Sequence, residues 1–241
     1  MPTVQIYIRT PNRFGSLAVL EEKRIRTHSQ TIDRILSSNN NTSPRPQKQT
    51  VILEGAAPAA LTYLLDRIRT NKESPNLHIK VHDLSLPKAV AIWEAAELLD
   101  LQPPQPHIQG HVIGYIAHAV LTPTEMGVLH RCFYPRREAC KVWRVMVHQV
   151  AWCIVNGAYE EAEAVELKVA AMEWPELVEA VDGKIHEDLL PKRLAREERL
   201  ARSVVLLLEV AMEVFAKVGR EGVEFGMAQS GEQARAASLD T

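Results

Sequence analysis

Ile92-Trp93-Glu94-Ala95-Ala96-Glu97-Leu98-Leu99-Asp100-Leu101 decides the fold of this chain. It reads as a helix opened by Pro87 and stopped before Pro103-Pro104, with Ala89, Ile92, Trp93, Ala96 and Leu99 as its buried stripe. Taken alone, the stripe fits any amphipathic helix. Its weight comes from the order of elements before it: strand, helix, strand, helix.

Working outward, Val4, Ile6 and Ile8 alternate with Gln5 and Tyr7, the period-two pattern of a half-buried strand. Residues 12–15 supply a turn, and 17–20 return as the second strand of a hairpin. From Ile25 the period changes. Ile25, Ile32, Ile35 and Leu36 share one helical face, with Ser29 on the same side. The polar run 37–49 lacks apolar residues to bury and reads as a loop. Residues 50–53 form a short apolar strand, and Pro58 opens a helix with Leu61, Leu64, Leu65 and Ile68 on its inner face. Leu77, Ile79 and Val81 alternate with His78, Lys80 and His82, which predicts an edge strand.

After residue 106 only helical periods occur, over 108–121, 124–133, 138–156, 159–173 and 175–188. Thr122-Pro123 with Glu125 is an N-cap signal, and Gly157 a C-cap. A further helix is predicted over 192–217, with a tail lacking periodicity from 219.

The 241 residues carry a net charge of -2, so there is no global attraction to nucleic acid or anionic lipid. Cys132, Cys140 and Cys153 are odd in number and form no CxxC pair, which argues against a disulfide framework and predicts a reducing compartment, cytoplasmic or nuclear. No signal peptide is read at the N-terminus, and the longest apolar run of the late helix falls well short of the ~20 residues a bilayer demands.

Several patterns bear on chemistry. His107 and His111 are an i,i+4 pair that could share a zinc ion, but His118 lies about 10 Å further along the helix axis. The bland reading, a polar helix face, is preferred, and no metal or cofactor is expected. Cys153 follows Trp152 in an apolar helix and reads as a small buried hydrophobe; His130 and His148 are near the cysteines in sequence only. Lys192, Arg193, Arg196, Arg199 and Arg202 are interleaved with Glu197 and Glu198, a solvated face rather than a nucleic-acid site. Trp143, Trp152 and Trp174 are assigned to the core. Val204, Leu207, Leu208, Ala211, Phe215 and Val218 form a broad stripe that something must cover, by folding back on the helical domain, or else by a partner helix or self-association.

The first ~130 residues resemble the BTB/POZ fold, in the branch that serves as F-box adaptor of cullin ubiquitin ligases. Three places carry the resemblance: the Ile25…Ser29-Gln30-Thr31-Ile32…Leu36 helix, the Val51-Ile52-Leu53 strand with the Leu61/Leu64/Leu65 helix after it, and the Ala95-Ala96…Leu98-Leu99-Asp100-Leu101 helix end. Leu121-Thr122-Pro123-Thr124-Glu125 is similar to the family's next helix start. The region from Glu138, above all residues 143–152, resembles the helical extension of fungal BTB-like proteins. The resemblance implies an α+β module over 1–121, a small sheet packed with helices, then an all-α extension over 122–218 and a disordered tail over 219–241.

The same resemblance implies a non-enzymatic protein–protein interaction role, with adaptor work in a ubiquitin-ligase or regulatory complex as its specific form. A transcription or chromatin scaffold is the alternative. An enzyme with a cryptic site in the 107–153 helices is the reading from a different class. Partner contacts are expected at Asn71, Lys72 and Glu73, at the edge Leu77, Ile79 and Val81, and at Val204, Leu208 and Phe215 of the late helix. Asn71 stands where cullin-binding members place an apolar residue, which argues against a cullin contact. The strand-exchange dimer device of some members is expected to be absent, because the first strand begins at Val4.

Overall fold

The computed structural model describes residues 2–11, 13–39, 48–71, 77–137 and 139–210. The chain divides into two units, residues 1–184 and residues 185–241.

The architecture of the first unit is α+β. Strand β1 (Thr3–Thr10) pairs antiparallel with β2 (Arg13–Glu21), and β3 (Lys48–Glu54) lies parallel to β1 on its other side, giving the order β2-β1-β3. The period-two pattern does what it predicts: Val4, Ile6 and Ile8 are buried together with Val51 and Leu53 of β3. The hairpin turn is tighter than the sequence suggested. Thr10 is registered against Arg13, so Arg13, Phe14 and Gly15 belong to β2 and not to the turn. Ile6 faces Ala18 while Tyr7 faces Ser16, which leaves Leu17 as the extra residue of a bulge.

The helices of this unit are α1 (Glu22–His28), α2 (Gln30–Asn39), α3 (Pro58–Thr70), α4 (Leu86–Leu99), α5 (Pro106–His118), α6 (Pro123–Phe133), α7 (Lys141–Val155), α8 (Glu161–Ala171) and α9 (Pro175–Lys184). The leucine stripe of α3 is wholly buried. In α4, Ala89, Ile92, Ala96 and Leu99 are buried and Trp93 packs against the same core half-buried. Helix α6 begins with a complete capping box between Thr122 and Glu125. Helix α7 ends in a Schellman motif: Ala158 N donates to Cys153 O at 2.9 Å and Gly157 N to Ile154 O at 3.2 Å, with Gly157 at φ +65°.

The polar run expected as a loop over 37–49 is shorter: 37–39 end α2 and 48–49 open β3, while 40–47 lie outside the described residues. Residues 77–81 form no strand. Leu77, Ile79 and Val81 do alternate inward, and all three are buried in the core. The segment is held by side chains instead of a ladder: Gln105 Nε2 donates to Leu77 O and the His107 ring nitrogen to Ile79 O, both at 2.7 Å. The alternation therefore records burial beneath an extended segment, and sheet pairing is not required to produce it.

One junction ties these elements together. A single helix was expected through Ile25–Leu36, but Ser29 is extended and separates α1 from α2. Ser29 is completely buried. Its hydroxyl donates to Leu99 O at 2.6 Å and accepts from Ile32 N at 3.2 Å, so one side chain caps α2 and fastens it to the end of α4. Helix α4 closes in a Schellman geometry, with Asp100 in the left-handed region at φ 47° and Leu101 N bonded to Ala96 O at 3.2 Å. That turn exposes Asp100 O to Gln30 N at 3.1 Å, while Gln102 N donates to His28 O at 3.0 Å and the His28 ring nitrogen to Gln102 O at 3.1 Å. Arg26 closes the outer side by pairing with Glu22 and Asp33.

Replacing Ser29 by Ala removes the cap and leaves Leu99 O without its hydroxyl donor. The expected loss is about 1–3 kcal/mol of unfolding free energy in a urea titration. Arg34→Ala, which breaks the exposed pair with Asp100 and an exposed hydrogen bond to Gln30 Oε1, should cost less than about 1 kcal/mol. Equal losses would show that the buried hydroxyl has no special weight.

Candidate binding site

Trp174 lies across α6 at its glycine: a Cβ on Gly127 would stand 3.0 Å from the Trp174 ring. This close approach helps enclose a cavity of about 360 Å³ among α6, α7, α8 and α9. Met126, Val150, Leu167, Leu177 and Val181 give it an apolar lining. The Tyr159 hydroxyl beside it is buried and has no hydrogen-bond partner among the described residues, and burial pushes the phenol above its ordinary range. Cys153 faces the same space with its thiol pushed up by burial. Lys168 and Asp182 also border the cavity, whose lining is otherwise mostly apolar.

The cysteine and histidine readings follow from geometry. Burial, followed by a hydrogen bond to Glu94, pushes the Cys132 thiol up to about 12. Its partner is a carboxylate, not a histidine, so nothing generates a thiolate. His130 stacks on Tyr134 at 4.8 Å and on Trp174 at 5.8 Å, and burial lowers its pKa, with Glu176 acting in the opposite sense. His107 stacks on His78 at 4.8 Å while it donates to Ile79 O. Among the described residues no group of three or more His, Cys, Asp and Glu is placed to hold a metal ion.

Helix α7 has two unlike faces. Val142, Met146, Val150 and Cys153 are buried, and Trp143 joins them. Lys141, Arg144, His148 and Trp152 follow steps of three, four and four on the outer face, all exposed. Trp152 is thus not a core residue as expected; it is 45% exposed. With His118 from the end of α5 it borders an open groove of about 810 Å³. Gln149, buried at the base, donates to Ala119 O at 2.9 Å and fixes α7 against the end of α5.

The second unit is described by itself. A π-helical turn, Ile185–Leu189, leads into α10 over 190–210. Lys192 pairs with Asp188, Arg193 with Glu197 and Arg202 with Glu198, the solvated charge ladder the interleaving implied. Beyond it every residue from Val204 to Leu208 is apolar and more than half exposed, as is Val210.

The expected contact residues are therefore dispersed. Asn71 is half-buried at the C-terminal end of α3, its N–H bonded to Arg67 O at 3.0 Å; Lys72 and Glu73 lie outside the described residues. Leu77, Ile79 and Val81 are core. Val204 and Leu208 are exposed on α10, and Phe215 and the 219–241 tail lie outside the described residues. The sequence reading missed Lys141, Arg144, His148 and Tyr159. The signal for the first three was present: α7 carries Lys141, Arg144 and His148 at helical spacing and no acid. Tyr159 gave none, because its environment comes from α7, α8 and α9 together.

No described helix is long and apolar enough to cross a membrane. No family model matches the chain, and neither the curated proteins nor the solved structures include a match.

In the folded protein at pH 8, iodoacetamide should leave Cys132 and Cys153 unmodified, because raised thiol pKa values keep both protonated. Peptide mapping should find both modified in urea. Rapid alkylation of Cys132 in the folded state would contradict its burial against Glu94.

Proposed function

We propose that this chain is a non-enzymatic protein–protein interaction module. The α+β elements would serve as a rigid platform and the helical surfaces as the contacts. The observation that carries this reading is α10, where 204–208 and Val210 present apolar side chains around the whole circumference of the helix. At ~100° per residue, five consecutive apolar positions cannot all face one flat surface, and a groove that wraps a helix covers them best. The BTB/POZ-like resemblance supports the same role: a small sheet packed with helices, then helices only. Its specific form is an adaptor in a ubiquitin-ligase complex. The expected strand-addition site at 77–81 drops out of this proposal, because that segment is core.

Affinity purification from the native host, using the full chain and a Val204→Asp/Leu208→Asp variant, tests the role. A defined set of proteins should be retained by the first and lost from the second, with light scattering showing whether the chain itself belongs to that set. Cullin subunits in the set would favour the adaptor form, and chromatin proteins in their place would remove it. Identical retention by both chains would overturn the assignment to α10.

A further inference from the structure

We infer that the groove between α5 and α7 is a docking site for an acidic peptide segment carrying one aromatic or long apolar anchor. This inference rests on the interaction-module reading and gives it a second surface with its own chemistry.

Charge pairing sets this groove apart from the rest of the first unit. Across most of the first unit, arginines are occupied. Arg9, Arg26, Arg34, Arg69 and Arg136 sit in ion pairs, and Arg67 and Arg137 lie over tyrosine rings. On the outer face of α7 the pattern is reversed. The side chains of Lys141, Arg144, His118 and His148 have neither an ion pair nor a hydrogen bond among the described residues, yet all border one groove. Among the described residues the groove lining contains no carboxylate, and neither α5 nor α7 contains an acidic residue. A chain with net charge -2 has carboxylates to spare elsewhere, so the placing of Lys141 and Arg144 beside two histidines is a local feature. Lys141 is also the first residue of α7, and the partial positive charge of the helix N-terminus adds at the same end. At the other wall, the carbonyl end of α5 would oppose an anion, but Ala119 O is already taken by Gln149.

Trp152 supplies the second half of the argument. Its ring is exposed at the far end of the stripe that begins with Lys141, about 16 Å along the helix axis. Exposed tryptophan in a groove is the side chain most able to gain from desolvation by a partner. Cations at one end and an indole at the other match a short segment with carboxylates followed by an apolar anchor. Nucleic acid fits less well. Only Lys141 and Arg144 carry permanent charge here, a single aromatic serves for stacking, and the chain as a whole offers no long-range attraction to phosphate.

The test uses the full chain and a synthetic peptide of roughly a dozen residues, rich in Glu and Asp with one Phe, and reads Trp fluorescence together with the anisotropy of a label on the peptide. An oligothymidylate of similar length is the comparison probe. The peptide should bind, alter the Trp emission, and weaken as salt is raised. Lys141→Glu/Arg144→Glu should weaken it by about tenfold or more, and Trp152→Ala should abolish the emission change. The neutral variant Lys141→Gln/Arg144→Gln gives an intermediate loss and guards against misfolding by charge reversal, with circular dichroism as the check on fold. Absence of peptide binding, binding unaffected by either double substitution, or tighter binding of oligothymidylate would each overturn the proposal. Because these substitutions lie on α7 and not on α10, failure here leaves the α10 result standing and is separable from it.

Discussion

The buried hydroxyl of Ser29 is the constraint on which the remaining structure depends. A serine in the interior of a helix competes with the backbone for hydrogen bonds, and here the competition is resolved by breaking the helix at that residue. The break lets α1 follow directly from β2 while α2 turns away, and it places Oγ between Ile32 N and Leu99 O. Helix α4 cannot continue past that contact. Its left-handed Asp100 turn delivers the 100–102 backbone to His28 and Gln30, and α5 starts only four residues later. Local conformation, burial and topology are thus settled at one point, where an unpaired polar atom would be expensive.

From this junction the first unit builds outward in two directions. On one side the core of β1, β3, α3 and α4 is nearly all aliphatic, as the low aromatic content required. On the other, the later helices concentrate the aromatic rings, with His130, Tyr134, Trp143 and Trp174 stacked or tilted against one another. The surface of that side is less finished than the aliphatic core. Among the described residues it keeps a cavity with an unpartnered hydroxyl, a groove lined by Lys141 and Arg144 without carboxylates, and an exposed indole. Features of this kind oppose stability in isolation, and they are the sort of departures that binding surfaces display.

Much of the fold was legible because its signals are local. The alternation at Val4, Ile6 and Ile8, the leucine stripe of α3, the Thr122-Pro123-Glu125 start and the Gly157 end each depend on a few adjacent residues. What was misread depends on distant partners. Ser29 looks like one more residue on a helical face until Leu99, seventy positions away, is beside it. The 77–81 segment has a strand's alternation, but the groups that satisfy its carbonyls are Gln105 and His107. Trp152 was assigned to the core together with Trp143 and Trp174, although its spacing from Lys141, Arg144 and His148 places it on the outer face. Chemistry-bearing residues were legible only where they shared one helix.

Hydrogen exchange of the isolated full chain, resolved by residue, tests this picture most directly. It predicts that the amides of Gln30, Ile32, Leu101 and Gln102 exchange among the slowest, only through global unfolding, while those of 194–210 exchange rapidly because the apolar side chains of that helix are exposed among the described residues. Fast exchange at the Ser29–Gln102 junction, or strong protection across 194–210 in the chain alone, would contradict it.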